Sequence, residues 1–582
     1  MSGIGLVLDI AKSALLSQQY AIDVTSHNIA NASTEGYSRQ RVELQAKKGD
    51  LYAGVLLGRG VRISDITRIA DQFIEARIAN RESDAASLEA TEHYMAILEG
   101  VFNETSGNGL TAHLAAFWNA WHDLSNNPSG DPERAMLQQR GDLLAEAFNT
   151  LNADVTEFVT ELTQSIIGAV EKINEITAAI AELNNQIVGM EMNRTAHDLR
   201  DQRNVLLNQL SEYINNKWFE QENGSVTVIA GKGNVLVLGN ESYNMYVDGL
   251  GVKLETSGDS SVDLTDSITG GKLGGWLDIR DEIVPKYQAD LDALAKSLIG
   301  EVNKIHSQGV GLHFFDSAIT GTYATDTTGA LDTLDFGHEI DYSKDLTIWI
   351  NDNNGTADPA DDVLNSITVT FNMGDTITDL VTQINAAGAG VTASGTTALT
   401  LTPDSANYTY AFSDNDSHIL AALGINTFFQ GNNASSMAVN SVIENNDHIA
   451  AGKIDPLGNF AVGDNRNALN IADLQYKEVS IQRWTYSRGS DPTSAVVLST
   501  LEDYYHTSVS SLGIKSESIT RGREFHESIV DKLTEIRDSI SAVSLDEEMA
   551  NLIKSQHAYA AAAKLVTISD EMFTTLLGTT EQ

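Results

Sequence analysis

The 582-residue chain contains no cysteine. Disulfide scaffolds, zinc–thiolate sites, iron–sulfur clusters and thiol nucleophiles are therefore excluded. Proline is scarce, with seven in all and none before Pro128, so nothing interrupts a helix early in the chain. Positive charge is also short. Thirty-seven lysines and arginines face 80 aspartates and glutamates, a net of −43. Nucleic acid and anionic membranes are recognised by clustered Lys/Arg, and this composition disfavours both. No stretch approaches 18 consecutive apolar residues, so no membrane span is expected. A cleaved secretory signal is not expected either, because Asp9 and Lys12 interrupt the place of its apolar core.

The motifs of catalysis are missing too. The 13 histidines form no H-x-x-x-H or H-E-x-x-H pair, and there is no G-x-S-x-G elbow. Gly231-Lys232-Gly233 lacks the third glycine of a nucleotide loop. Gly271-Lys272 resembles the end of a P-loop, but Asp266 stands in place of the first glycine and Leu273 in place of Ser/Thr. The polar stretch Asp352–Asp361 looks like a calcium loop, yet Ile350 occupies the first ligand position and Asp361 that of the bidentate Glu. A turn between strands is the plainer reading. Glu547-Glu548 sit at a helix start, where the dipole accounts for an acidic pair. No catalytic, cofactor-binding or metal-binding residue is assigned, and the chain is not expected to be an enzyme.

What is present is apolar periodicity. Forty-two per cent of residues are apolar, and the length suits three to five domains. Ile4, Leu8, Ala11, Leu15, Gln18, Ile22, Thr25 and Ile29 alternate steps of four and three, an a/d helical seam with Ser2 available as its cap. The C-terminus repeats it with Leu545, Met549, Leu552, Gln556, Tyr559, Ala563, Val566, Asp570, Phe573 and Leu577. Ser544 and Glu547 read as the capping box that starts this helix, and Gly578 as its stop. A second apolar line through Ala558, Ala562, Leu565, Met572 and Leu576 makes the C-terminal helix apolar on more than one side, which calls for more than one partner. The charge avoids these ends: residues 1–45 carry −1 and residues 545–582 carry −4. An ordinary two-helix core joining the termini satisfies the periodicity. So does a pair of assembly segments, loose alone and ordered in a polymer. The assembly reading assigns Ile4, Leu8, Leu15, Ile22, Ile29, Leu545, Met549, Leu552, Tyr559, Val566, Phe573 and Leu577 to the interface.

Between the ends, Asp131-Pro132-Glu133 opens a helical period that reaches about Met190, as one long helix or a hairpin, and residues 197–213 follow as a helix. Val226, Val228, Val235 and Val237 alternate about a glycine turn, a β-hairpin. Trp276 to about His306 returns to helix. Residues 312–470 are rich in Thr, Asn, Asp and Gly with short apolar runs, reading as one or two β-rich inserts. Ile529, Leu533, Ile536 and Ile540 mark a returning helix. The expected fold class is α+β multidomain: a long, coiled-coil-like helical stem built from both termini, with β-rich inserted domains. The expected divisions are 1–45 with 545–582 as the terminal segment, 46–311 with 490–544 as the stem, including a hairpin region near 217–270, and 312–489 as the insert.

The letters add to the period. Ser26-His27-Asn28-Ile29-Ala30-Asn31-Ala32-Ser33-Thr34-Glu35-Gly36-Tyr37-Ser38-Arg39-Gln40 resembles the N-terminal signature of bacterial flagellar rod, hook and hook-associated proteins, departing from it at Ser33 and Glu35, where Asn and Pro are usual. Leu545-Asp546-Glu547-Glu548-Met549-Ala550-Asn551-Leu552-Ile553 resembles the matching C-terminal signature. His197–Leu207, Gly271–Asp281 and Gly463–Leu469 are similar to segments of the hook-associated protein 1 (FlgK) family, and Leu380–Asn385 to a short motif of flagellin-like inserts. The resemblance implies a structural subunit of the flagellum at the junction of hook and filament, outside the cell. It also implies export through the flagellar type III apparatus without a cleaved signal. The implied partners are further copies in a ring or tube layer, the hook protein, the next hook-associated protein, and an export chaperone on the C-terminal helix. Another axial protein (hook or distal rod) is the alternative within the class. A glycan-binding or adhesive surface protein, or a hydrolase activity in the insert, is the alternative outside it.

Overall fold

The structure is a computed structural model that describes residues 2–52, 55–102, 109–191, 195–256, 260–356, 358, 360–413 and 415–580. The side chain of Ser2, expected to be a cap, and Ala357 of the polar loop lie outside the described residues. The helices, in chain order, are α1 (Ser2–Ala30), α2 (Gln72–Val101), α3 (Leu110–Asn126), α4 (Asp131–Glu191), α5 (His197–Tyr213), α6 (Gly271–Asp278), α7 (Val284–His306), α8 (Ile377–Ala387), α9 (Ile419–Leu423), α10 (Arg466–Ala472), α11 (Leu501–Ser541) and α12 (Leu545–Thr580). The period that opens at Asp131 is thus one helix of 61 residues rather than a hairpin. The returning helix begins at Leu501, well before Ile529. Gly578 does not stop α12, which continues to Thr580. Half of the expected capping box is present: the Glu547 N–H donates to Ser544 Oγ at 3.5 Å, while the Glu547 carboxylate turns to Arg39.

The chain divides into two compact units. The first comprises residues 1–93, 163–278 and 518–582. It holds α1, α5, α6 and α12 with parts of α2, α4 and α11. A bulged antiparallel ribbon pairs Gln40–Ala46 with Val61–Arg68. The expected hairpin is part of a four-stranded antiparallel sheet over residues 216–242, and a three-stranded sheet follows over 245–263. The glycines of the 271–281 segment serve close packing, not phosphate. Gly271 has φ +69° against the Tyr213–Ile214 backbone, and a Cβ on Gly275 would sit 2.2 Å from the Ser87 carbonyl oxygen of α2.

The second unit comprises residues 94–162 and 279–517. Phe117, Trp118 and Trp121 of α3 are fully buried with Phe428 and Phe429. Ring centroids of Phe117 and Trp121 lie 5.5 and 5.4 Å from Phe428. The insert carries two small three-stranded sheets, one ordered 363–369, 346–352, 408–413 and the other 319–320, 400–403, 391–394. Helix α8 opens with a complete capping box of Thr376 and Asp379.

Irregular chain in this unit is tied down by buried polar side chains, because a buried backbone group without a partner is costly. The Asn303 carbonyl oxygen accepts from the N–H groups of Phe428 and Phe429, and its amide donates to the Phe429 carbonyl. His306, wholly buried, donates Nδ1–H to the Asn426 carbonyl at 2.8 Å and accepts the Ala450 N–H at Nε2 at 3.0 Å. That pairing needs the neutral ring. Burial pushes its pKa down to about 4, and Arg134 adds to the effect.

Two outcomes follow for stability. Gly275→Ala overpacks α6 against α2 and should cost about 1–3 kcal/mol, read as a lower midpoint in chemical denaturation of the first unit. His306 binds its proton in the unfolded chain near pH 6.5 but in the fold only near pH 4. Stability of the second unit should therefore fall as pH drops from 6.5 toward 4, by about 3 kcal/mol over the window. Urea midpoints at pH 7 and 4.5 check this, and His306→Asn should flatten the slope.

Candidate assembly interface

The two terminal helices pair within the first unit, and they run antiparallel. Asn28, near the end of α1, bonds Glu548 at the start of α12. Ile4 and Leu8, near the start of α1, share an apolar groove of about 480 Å³ with Val566, Phe573 and Leu576 of α12. The face that α12 turns inward is a row spaced by sevens: Glu548, Ser555, Ala562 and Ser569. Three of these are 2–4 % exposed and Ser555 is half-buried. The buried residues of α1 are equally short: Ala11, Ser13, Ser17, Thr25 and Asn28.

None of the twelve residues assigned from the sequence is buried. Ile4, Leu15, Ile22, Ile29, Leu552 and Val566 are half-buried. Leu8, Leu545, Met549, Tyr559, Phe573 and Leu577 are 40–55 % exposed. On α12 the expected seam lies about 70° around the helix from the observed one, at roughly 100° per residue. Val7, Leu16 and Tyr20 of α1, and Ile553, Leu565, Ile568, Met572 and Leu576 of α12, are exposed as well. The pair is small inside and large outside.

What holds it is a polar clasp that sequence reasoning missed. The Asn28 amide donates to the Gln40 carbonyl at 2.8 Å and to Glu548 Oε2 at 3.0 Å. Its Oδ1 accepts from the Gln40 N–H at 3.0 Å and from the Tyr37 hydroxyl at 2.7 Å. Arg39 places Nε 3.0 Å from Glu548 and spans both Glu547 oxygens at 2.9 Å. The acidic pair at the start of α12 is thus held by Arg39 and Asn28, not by the helix dipole alone. From α5, Asp201 accepts the Ser38 N–H at 3.0 Å and pairs with Arg68 at 3.1 Å, while Asp198 accepts from Gln40 Nε2 at 2.9 Å. Burial, together with Asp198, Asp201 and Glu548, raises the Tyr37 phenol far above its ordinary pKa and keeps it a donor. The bond to Glu547 raises the Arg39 guanidinium further. Burial raises Asp201, and the Arg68 guanidinium opposes that. Gly36, at φ +74° with Val205 where a Cβ would be, makes the turn that brings Tyr37 and Arg39 in. Three segments remote in sequence, 26–40, 198–201 and 545–552, meet here. The signal that could have found them was a polar residue within each terminal seam region, Asn28 and Glu548.

Comparison with known proteins agrees with this convergence. Residues 8–37 match the family model for the flagella basal body rod protein, and residues 538–579 that for the C-terminal region of the flagellar basal body rod FlgEFG proteins. Residues 95–317 match the helical domain of the flagellar hook-associated protein FlgK, and residues 346–402 the flagellin hook IN motif. Over nearly their full lengths, flagellar hook-associated protein 1 of Bacillus subtilis is 26 % identical (97 % of this chain, 96 % of that protein) and its Escherichia coli counterpart 25 % (98 % and 99 %). The chain is thus similar to hook-associated protein 1 over nearly its whole length and matches the FlgK helical domain within it. The fold agrees: the flagellar hook junction protein FlgK from Burkholderia pseudomallei superposes with a TM-score of 0.52 at 17 % identity, covering 80 % of this chain and all of that one. The models matched at both ends and in the interior are all those of flagellar structural proteins. Among the described residues, no helix is long and apolar enough to cross a membrane, and no group of three or more histidine and acidic side chains is placed to hold a metal ion.

Arg39→Ala strands the buried Glu548 carboxylate and should cost the first unit about 3 kcal/mol. Arg39→Lys should recover only part of this, because an ammonium does not reproduce the fork that reaches Glu547 and Glu548 together. Denaturation midpoints of the two variants check both statements.

Proposed function

We infer that this chain is a structural subunit of the bacterial flagellum that forms the junction between hook and filament. The near-full-length likeness to hook-associated protein 1 carries the reading. The match of residues 95–317 to the FlgK helical domain favours it over a hook or distal rod subunit. The terminal pair supplies the mechanism. Its large side chains face outward, and burying each one against a neighbour returns about 1.5–3 kcal/mol. A ring or tube layer of copies covers these faces, with hook protein on one side and the next hook-associated protein on the other. The chain reaches its place through the flagellar export apparatus, with a chaperone shielding the C-terminal helix in the cytoplasm. Chemistry in the insert is no part of this reading.

Met549 and Ile553 are exposed in the lone chain and lie outside the groove shared with α1, so Met549→Asp and Ile553→Asp should leave its stability within about 0.5 kcal/mol. Both should block incorporation at the hook tip and fail to restore swimming in a strain lacking the protein. Restored swimming with normal filaments would refute the assembly role of these faces.

A further inference from the structure

Helix α12 is apolar around most of its circumference, and hydrophobicity alone would turn its large row inward. The structure turns the small row inward instead: Ala562 is 4 % and Ser569 2 % exposed, while Phe573 is 47 % exposed. The one charged member of the inward row is Glu548, 2 % exposed and gripped by Asn28 and Arg39. Rotating α12 by about 70°, so that the large row faces α1, would carry Glu548 toward solvent. It would release the Asn28 amide and the Arg39 guanidinium together. Clasp and rotational phase are therefore linked. We propose that Asn28 and Arg39 are positioning residues that, through Glu548, set the rotational phase of α12 and so decide which of its faces is left outward. That the outward face then receives a neighbouring subunit rests on the assembly reading above.

The absence of cysteine makes the test clean, and alanines at 558, 560, 561, 562 and 563 sample the helix circumference with little steric change. Each is replaced singly by cysteine in the full chain, and maleimide labelling rates are measured on the monomer. With the clasp intact, the slowest site should be 562, at least tenfold slower than 560 and 561. In an Asn28→Ala/Glu548→Ala background the minimum should move to 563, with labelling at 562 at least tenfold faster. Glu548→Gln keeps only one of the two acceptor oxygens that Asn28 and Arg39 use, so labelling at 562 should lie between the intact chain and the double variant. The proposal is overturned if the minimum stays at 562 without the clasp. It is equally overturned if all five sites speed up together, which would make the clasp a mere fastener. Motility complementation with the same backgrounds separates the two readings. A shifted phase with full swimming refutes the assembly role and leaves the clasp inference standing; an unshifted phase with lost swimming does the reverse.

Discussion

A carboxylate almost wholly withdrawn from water organises both ends of this chain. Burying Glu548 alone would cost several kcal/mol, and it is stable only because Arg39 and Asn28 reach it from the other terminus. Arg39 and Asn28 are themselves aimed by the turn through Gly36, by the Gln40 backbone and by the Tyr37 hydroxyl. The Ser38 N–H is in turn fixed by Asp201 of α5. Each member satisfies another, so the arrangement has little value unless complete. Residues of the segments 26–40, 198–201 and 545–552, remote in sequence, are thus parts of a single hydrogen-bonded object.

The clasp permits an inverted helix pair. Small side chains at the seam let two helices approach closely without the large apolar contact that usually drives such pairing. The driving force is then deferred, because Leu8, Met549, Phe573 and their neighbours remain in water. Exposed apolar area of this kind is a liability in a free protein, and the net charge of −43 opposes premature association. Under the assembly reading proposed above, this combination keeps copies apart until they meet in place.

Much of the architecture was legible from period and punctuation. The terminal helices, the helix of 197–213, the hairpin about Gly231–Gly233 and the strands of the insert follow from where apolar residues recur and where glycine interrupts them. The rotational phase of α12 was not legible. A helix apolar on several sides offers the sequence reader several equally good seams, and the deciding contact is tertiary: a carboxylate whose partners lie more than 500 residues away. Gly578 failed as a stop because glycine is merely tolerated within a helix as well as favoured at its end. Ser544 and Glu547 failed as a full box because Arg39 outcompeted the backbone for the Glu547 side chain. The 271–281 glycines were recognisable as a family segment. That they serve backbone contact with Ser87 and Tyr213–Ile214 required the partner strands and helices to be in place.

The second unit follows the opposite design. Its aromatic core is closed, and its irregular loops are fastened by buried groups such as Asn303, His306 and Asp290, which holds the Trp484 N–H and the Tyr504 hydroxyl. Such hubs hold loops in place without further partners, because each one satisfies several groups of the same unit at once. A unit that is complete in itself can fold before assembly and keep its shape through it. The clasp of the terminal pair is satisfied in its polar contacts, while the large apolar side chains of the pair stay exposed. Polar groups cannot wait for a partner without a large cost, whereas apolar faces can, so a chain that must postpone part of its packing does best to postpone the apolar part.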